Sequence, residues 1–313
     1  MSSSAPRRAA RDVVVEQAVG GAKRLAMLPE ATMRILELLQ SEAYGAAELE
    51  KVVSTDPVLC MQILKVVNSA FYRSPQEIAS IRRAVVMLGA AAVKNIALAA
   101  SLGRGLRGIE SAGLSARELW RHSLAVGAGA KLAAAAARRV PADTAFLAGL
   151  LHDVGFMLEL RLDAARLARL TTSLDGGERR ADGDSREDRA GDSGEDGATR
   201  APHALLAEEA AFGATHEDFG RGLCERWGLP ADIALAVGRH HVASANEDAS
   251  DLACAVHIAD VVAARLALGF AADAPDPELH NAALERLGLT ASALEDIERA
   301  VPDATGELLR ILG

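Results

Sequence analysis

The stretch Phe146-Leu-Ala-Gly-Leu-Leu-His-Asp-Val-Gly155 decides the fold of this 313-residue chain. It is apolar and helical in pattern except for His152 and Asp153, which stand side by side. A neutral imidazole and a carboxylate are both good ligands for a divalent metal. A buried carboxylate needs a cation or several hydrogen-bond donors, and for an isolated pair a His-Asp hydrogen bond in a core is the simpler interpretation. The stretch therefore predicts a polar site inside a helical core.

The composition favours helices that pack closely through small residues. Hydrophobic residues make up 50% of the chain, whereas aromatic residues make up only 3%. A sheet would need more β-branched and aromatic side chains, and no segment has a strand pattern. Three cysteines without metal-type spacing fit a reducing compartment, so we expect a cytoplasmic protein. We find no signal peptide and expect no apolar stretch of about 18 residues that could span a membrane.

Much of the net charge of −9 lies in one segment, residues 175–197, where nine acidic residues stand against four arginines. This segment is rich in glycine and poor in apolar residues, which predicts a disordered loop over residues 172–201. The helical pattern resumes after it, so we interpret the loop as an insertion and not as a domain boundary. No basic stripe with interleaved aromatic residues is present, and nucleic acid is therefore not expected as a direct partner.

The first part of the chain has N-cap and helix-end residues that predict several short helices. Asp56 and Pro57 form an N-cap and first-turn pair, and Ser80 caps a helix that Gly89 ends. Asn68 and Ser69 lie at a helix end, where hydrogen bonds to local backbone are the ordinary role. A partner-binding role for Asn68 and Ser69 is the alternative.

The second part repeats this pattern and carries the other candidate ligands. Helical spacing turns His122 inward with apolar neighbours, and Thr215 caps a helix that begins with His216. The remaining candidates are His240, His241 and Asp260. His257 lies on the same helix face as Asp260, and we interpret it as a packing residue. Glu159 is interpreted as a surface charge.

An ordered set of motifs in this chain resembles the HDOD family. Asp56-Pro57, Asn68-Ser-Ala-Phe-Tyr72 and Ser80-Ile-Arg-Arg-Ala-Val-Val-Met-Leu-Gly89 resemble its first half. Its second half is matched by Leu119-Trp-Arg-His-Ser123, Phe146 to Gly155, His216 to Pro230, the His240-His241 pair and His257-Ile-Ala-Asp260. The resemblance covers residues 25 to 270 and implies a bacterial, all-helical protein related to the HD superfamily of metal-dependent phosphohydrolases.

The same resemblance implies a ligand set and raises the question of catalysis. His122, His152, Asp153 and Asp260 match the minimal HD-superfamily pattern, while His216 and His240 or His241 match positions that hold a second metal in two-metal relatives. Two departures argue against hydrolysis. The HD-GYP phosphodiesterases have a lysine where this chain has Phe156, and they have a Gly-Tyr-Pro motif where this chain has Val242-Ala-Ser-Ala-Asn-Glu-Asp248.

We therefore predict an all-α, multi-helix HDOD-like bundle with an HD-like C-terminal half. Its expected divisions are a flexible N-terminus over 1–20, an N-terminal helical half over 21–110, the HD-like half over 111–270 and a C-terminal helical tail over 271–313. The predicted function is a non-catalytic signalling or regulatory binding module; the alternative is a metal-dependent phosphohydrolase. A divalent metal (Fe, Mn, Zn or Mg), a signalling protein partner and a nucleotide or phosphate ligand are the expected binding partners.

Overall fold

The computed structural model describes residues 4–21, 30–40, 46–72, 77–106, 110–111, 114–181, 200–241, 250–268 and 277–312. Helices form almost all of this part of the chain, which confirms the all-α prediction. In order they are α1 (Ser4–Gly21), α2 (Glu30–Gln40), α3 (Ala46–Val53), α4 (Pro57–Val67), α5 (Ile81–Leu106), α6 (Ala116–Ala137), α7 (Ala142–Leu151), α8 (Val154–Ala181), α9 (Arg200–Phe212), α10 (His216–Arg226), α11 (Ala231–Val237), α12 (Asp251–Arg265), α13 (Pro277–Leu287) and α14 (Ala291–Leu312).

One short strand pair departs from the expectation that the chain has no strands. Strands β1 (Glu110–Ser111) and β2 (Leu114–Ser115) pair antiparallel immediately before α6. Each strand has only two residues, so the pair adds no layer to the helical fold.

The helices of the first half begin and end where their local signals predict. Asp56 accepts a hydrogen bond from the Leu59 amide at 3.0 Å, and Pro57 occupies the first turn of α4. Gly89 has a φ of +85°, a conformation that favours glycine, and it divides α5 into two helical segments. Helices α3 and α4 both pack on α5.

Helix α5 also corrects one expectation. The segment Ile81–Gly103 is long and apolar enough to cross a membrane, although we expected no such stretch. More than half of its most apolar window is buried inside the protein. The apolar run is explained by packing against α3, α4 and α7, because a helix covered on several sides has little polar face.

Small residues bring the helices of the second half into close contact. Helix α6 packs against α7, α12 and α14. A Cβ atom on Gly149 would lie 2.7 Å from the Val126 carbonyl oxygen, and one on Gly129 would lie 2.9 Å from the Ala259 Cβ. The low aromatic content therefore has a structural reason: these interfaces are too close for larger side chains.

Within the stretch 1–20, which was expected to be a flexible N-terminus, the described residues belong to helix α1 (Ser4–Gly21). Val14 and Val15 pack against the core, and α1 lies on α10. The close packing of α1 on α10 depends on Gly222, where a Cβ atom would be 2.5 Å from the Val15 Cγ1. The apolar face of α1 is therefore matched by a glycine on a helix far away in sequence.

The acidic loop and the C-terminal segment differ from their predictions in extent. Most of the predicted loop lies outside the described residues, but residues 172–181 continue α8 and residues 200–201 begin α9. Helix formation satisfies the backbone hydrogen bonds locally, which allows α8 to continue into this polar sequence. Within the predicted tail over 271–313, the described residues 277–312 form α13 and α14, and α14 packs on α4, α5 and α6 as part of the body of the protein.

Candidate metal centre

The structure brings together all seven residues that the sequence analysis proposed as metal ligands. Each of their side chains is at most 2% exposed to solvent. They come from five separate regions of the second half: α6, the α7–α8 junction, the start of α10, the turn after α11, and α12. The residues are His122, His152, Asp153, His216, His240, His241 and Asp260.

The first group of ligand atoms surrounds the Nε2 of His122. This atom lies 3.2 Å from the Nε2 of His152 and 3.1 Å from Asp260 Oδ1. Asp153 Oδ2 lies 3.2 Å from the Nε2 of His152 and 3.6 Å from that of His122. Ligand atoms held about 2.0–2.2 Å from one tetrahedral cation are roughly 3.3–3.6 Å apart, so this spacing fits a single divalent ion.

The second group consists of three imidazoles and the other oxygen of Asp153. The Nε2 of His216 lies 3.4 Å from that of His240 and 3.2 Å from that of His241. Asp153 Oδ1 is 3.7 Å from the Nε2 atoms of both His216 and His240. Because Asp153 directs one oxygen to each group, its carboxylate can bridge two neighbouring cations.

In two of the rings, the hydrogen bond made by Nδ1 determines that Nε2 has the free lone pair. His152 Nδ1 donates to the Gly149 carbonyl and His240 Nδ1 donates to the Val237 carbonyl, both at 2.8 Å. A carbonyl only accepts, so in a neutral ring the proton is on Nδ1 and the Nε2 lone pair faces inward. Lone pairs and carboxylate oxygens converge on one buried space, and this donor set fits divalent metal ions.

Two glutamates, Glu208 and Glu217, support this centre and a third, Glu159, is buried near it; none of the three was predicted to belong to the centre. Glu208 Oε2 accepts hydrogen bonds from both the Nδ1 and the main-chain amide of His216, each at 2.8 Å. Glu217 Oε1 accepts from the His241 amide at 3.0 Å. Glu159, interpreted as a surface charge, is in fact fully buried. Burial raises its pKa well above the usual range, and the nearby Glu208 carboxylate adds to this rise.

The interpretation of Glu159 was wrong because helical spacing alone cannot show how many sides of a helix are covered. Residues 154–160 at the start of α8 are all buried. An almost continuous apolar run around Glu159 was the available signal, because a helix that is apolar all round is a buried helix. No comparable signal marks Glu208, whose role depends on the approach of α9 to α10.

Phe156, which stands where a phosphate-binding lysine was sought, packs on the centre instead. Its ring stacks on that of His216, with centroids 4.2 Å apart and an angle of 14° between the planes. Arg239 is exposed while its neighbour His240 is fully buried, so the guanidinium lies on a different side of the chain from the ligand. Neither residue places a positive charge beside the ligand atoms.

The other candidates have local structural contacts. His257 is buried, and its Nδ1 donates to the His240 carbonyl at 3.0 Å, which holds the turn that carries two ligands. Asn68 exchanges side-chain hydrogen bonds with both backbone groups of Ile78, and the Ser69 hydroxyl donates to the Val66 carbonyl. Asn68 and Ser69 also line a groove of about 800 Å³ between α4 and α14. Their partner-binding role stays a prediction.

Comparison with known proteins gives a family and a fold. Residues 25–193 match the HDOD domain model. An HDOD domain protein of Geobacter sulfurreducens has 22% identity and a TM-score of 0.68, with coverage of 96% of this chain and 97% of that one. A protein of Shewanella amazonensis SB2B, provisionally named a metal-dependent phosphohydrolase, has 19% identity and a TM-score of 0.59, with coverage of 96% and 100%.

Two further relatives are longer than this chain. A provisionally named signal transduction protein of Marinobacter aquaeolei VT8 has 21% identity and a TM-score of 0.68, and 97% of this chain aligns with 65% of that one. An uncharacterized protein of Treponema pallidum is 23% identical over 224 residues, which are 70% of this chain and 39% of that protein. The chain thus spans less than half of the length of this curated relative.

Proposed function

Because the chain belongs to the HDOD family, we propose that it is a regulatory binding module built around a closed two-metal centre. The observation that carries this proposal is the complete ligand set with almost no exposed surface. Five imidazoles and two carboxylates face one another, and each is at most 2% exposed. Such a centre can hold metal ions and stabilise the fold, but its ligand atoms are not open to a substrate.

The donor set restricts the kinds of metal that would fit. Imidazole nitrogen suits Fe, Mn and Zn, whereas Mg²⁺ prefers oxygen ligands and retains several waters. His122 and His152 with Asp153 and Asp260 would hold one ion. His216, His240 and His241 would hold a second one with the other oxygen of Asp153. We therefore favour Fe, Mn or Zn over Mg for this centre.

Several features of the surroundings support a non-catalytic role. Hydrolysis requires the substrate phosphate to be held and its developing charge to be stabilised. Phe156 covers the His216 ring at the position where the phosphodiesterases mentioned above have a lysine. Arg239 is exposed and directed away from its buried neighbour His240. A signalling protein partner, with any input from a separate protein, remains part of this proposal.

A metal-dependent phosphohydrolase is the second candidate, and the bridging position of Asp153 favours it. Its two oxygens are directed towards the two groups of imidazoles, an arrangement that suits a pair of metals. A bound metal would lower the pKa of a coordinated water towards about 7 and polarise a phosphoryl oxygen. Two proteins of similar fold have provisional phosphohydrolase names, which makes this activity the one to test.

Metal analysis followed by a hydrolysis screen distinguishes the two functions. We expect the purified or reconstituted protein to contain Fe, Mn or Zn and to leave cyclic dinucleotides, nucleotides and model phosphodiesters intact. Metal-dependent turnover that His152→Ala abolishes would establish the phosphohydrolase instead. A protein that takes up no metal under any loading condition would contradict both candidates and leave a hydrogen-bonded polar core.

A further inference from the structure

The two groups of ligands differ in how the fold supports them. Ligands of the first group lie on α6, at the α7–α8 junction and on α12, and helices α6, α7 and α12 pack directly on one another. In the second group, His216 is the first residue of α10, and its orientation involves α9. The first group is thus part of the helical core, while the second depends on a peripheral helix.

Glu208 on α9 holds His216 through two hydrogen bonds to one carboxylate oxygen. The bond from the main-chain amide holds the backbone of His216 at the start of α10, and the bond from Nδ1 holds the orientation of its ring. Glu208 is itself only 4% exposed. A buried carboxylate that accepts from Nδ1 fixes the tautomer and increases the basicity of the other ring nitrogen, which is the one that would bind metal.

Polar contacts hold α9 in the position where Glu208 can act. Arg11 on α1 donates to Glu209 at 2.8 Å and lies 3.3 Å from Asp218. Asp218 forms the capping box with Thr215, the residue just before His216. Arg166 on α8 donates to the Ala211 carbonyl at 2.7 Å. These bonds tie α9 to α1, α8 and α10.

The apolar attachment of α9 is weaker than that of the core helices. Leu206, near the middle of α9, is 60% exposed, whereas Ala204 and Glu208 one turn apart are buried. Phe212, at the end of α9, packs partly buried against the core and under the Arg166 guanidinium, but Ala204 and Glu208 are a small and a charged residue and gain little from the hydrophobic effect. Apart from Phe212, the docking of α9 therefore relies on the hydrogen bonds and ion pairs of Arg11, Arg166 and Glu208.

From this arrangement we propose that Glu208 is the positioning residue that makes the second group of ligands competent to bind metal. With α9 docked, the protein holds two metal ions; with α9 displaced, it holds only the ion of the first group. The inference rests on the proposed metal centre. It adds that the centre has one constitutive site and one site that depends on α9.

The test compares metal uptake by the full chain and by variants at Glu208. Metal-free protein is titrated with Mn²⁺, and the bound ions are counted by elemental analysis and observed by electron paramagnetic resonance. We expect the wild-type protein to bind two ions with the spectrum of a coupled pair. Glu208→Gln keeps the shape of the side chain but removes its charge, and we expect its second ion to bind about 10- to 100-fold more weakly. Glu208→Ala should bind one ion, with the spectrum of an isolated Mn²⁺.

A matched control separates positioning from a general loss of charge. Glu225→Gln alters a carboxylate on α10 that is 56% exposed and paired with Arg221, and it should bind two ions as the wild type does. If the Glu208 variants also bind two ions with unchanged affinity, or if the wild type never takes up the second ion, the inference is wrong while the first metal site stands. If the wild type binds no ion at all, the proposed centre itself fails.

Discussion

Substitution of Gly155 by alanine tests a close backbone contact beside the candidate metal centre. Gly155 lies two residues after Asp153, at the start of α8, and it faces the first residue of α10. A Cβ atom at this position would be 1.9 Å from the His216 carbonyl oxygen and 2.8 Å from the His216 Cα. The contact is with backbone, so no change of rotamer can relieve it.

The size of the effect follows from the geometry. Ordinary van der Waals contact begins at 3.4 Å, so α8 and α10 must separate by about 1.5 Å. Forced overpacking of this kind costs about 1–3 kcal/mol or more. Metal sites tolerate deviations of only about 0.2 Å in ligand distance. The same displacement that destabilises the protein should therefore move His216 out of range of a cation that Asp153 also binds.

Thermal unfolding and metal counting together measure this effect. We expect Gly155→Ala to lower the melting temperature by several degrees and to lose the ion held by His216. Gly306→Ala is the control, because a Cβ atom at Gly306 in helix α14 would have nothing within 4 Å, and alanine in a helix is favourable by about 0.5–1 kcal/mol. A Gly155→Ala protein with the wild-type melting temperature and two bound ions would refute the reasoning.

Three further predictions concern the centre and its surroundings. Elemental analysis should show that Asp153→Ala loses metal from both groups of ligands and that His152→Ala loses it at least from the first group, whereas Trp120→Phe should retain both ions. An Asp153→Ala protein that still binds two ions would contradict the role of Asp153 as a ligand shared by both groups. Phe156→Lys should not create turnover near about 1 per second in a cyclic-dinucleotide assay, because the ligand atoms remain buried; turnover at that rate would contradict the closed centre. Burial raises the pKa of Glu159, so its contribution to stability is lost as pH rises through that folded-state pKa. Glu159→Gln should therefore raise the melting temperature of the metal-free protein at neutral pH and flatten its decline with pH; an unchanged decline would count against this explanation.

The parts of the fold that could be predicted are those with local causes. Asp56 and Thr215 cap their helices because the cap needs only a side chain and an amide two or three residues ahead. The seven candidate ligands could be named because most of them lie beside apolar helix positions, where a histidine or an aspartate is unusual, and because the family resemblance implies the same set. The sequence could indicate that these side chains point into the core. It could not indicate that the two oxygens of Asp153 would face two separate groups of imidazoles.

The parts that could not be predicted depend on contacts between distant segments. Helix α1 has three arginines at positions 7, 8 and 11, and its composition resembles that of a solvated terminus. It is ordered because Gly222 leaves room for Val15 and because Arg11 reaches Glu209 and Asp218. A glutamate in a helix is usually exposed, so Glu208 could be recognised only after α9 was placed beside His216.

The position of α14 has a consequence for how the protein is made. Glu307 accepts hydrogen bonds from the amides of Ala70 and Phe71, and Leu308 and Leu312 are fully buried against the body. The ribosome synthesises α14 after every other described element, so a nascent chain that lacks it has two backbone amides without their acceptor and an uncovered apolar surface on α4–α6. We expect such intermediates to need protection by chaperones. A degradation tag or protease that frees α14 would destabilise both halves of the protein together.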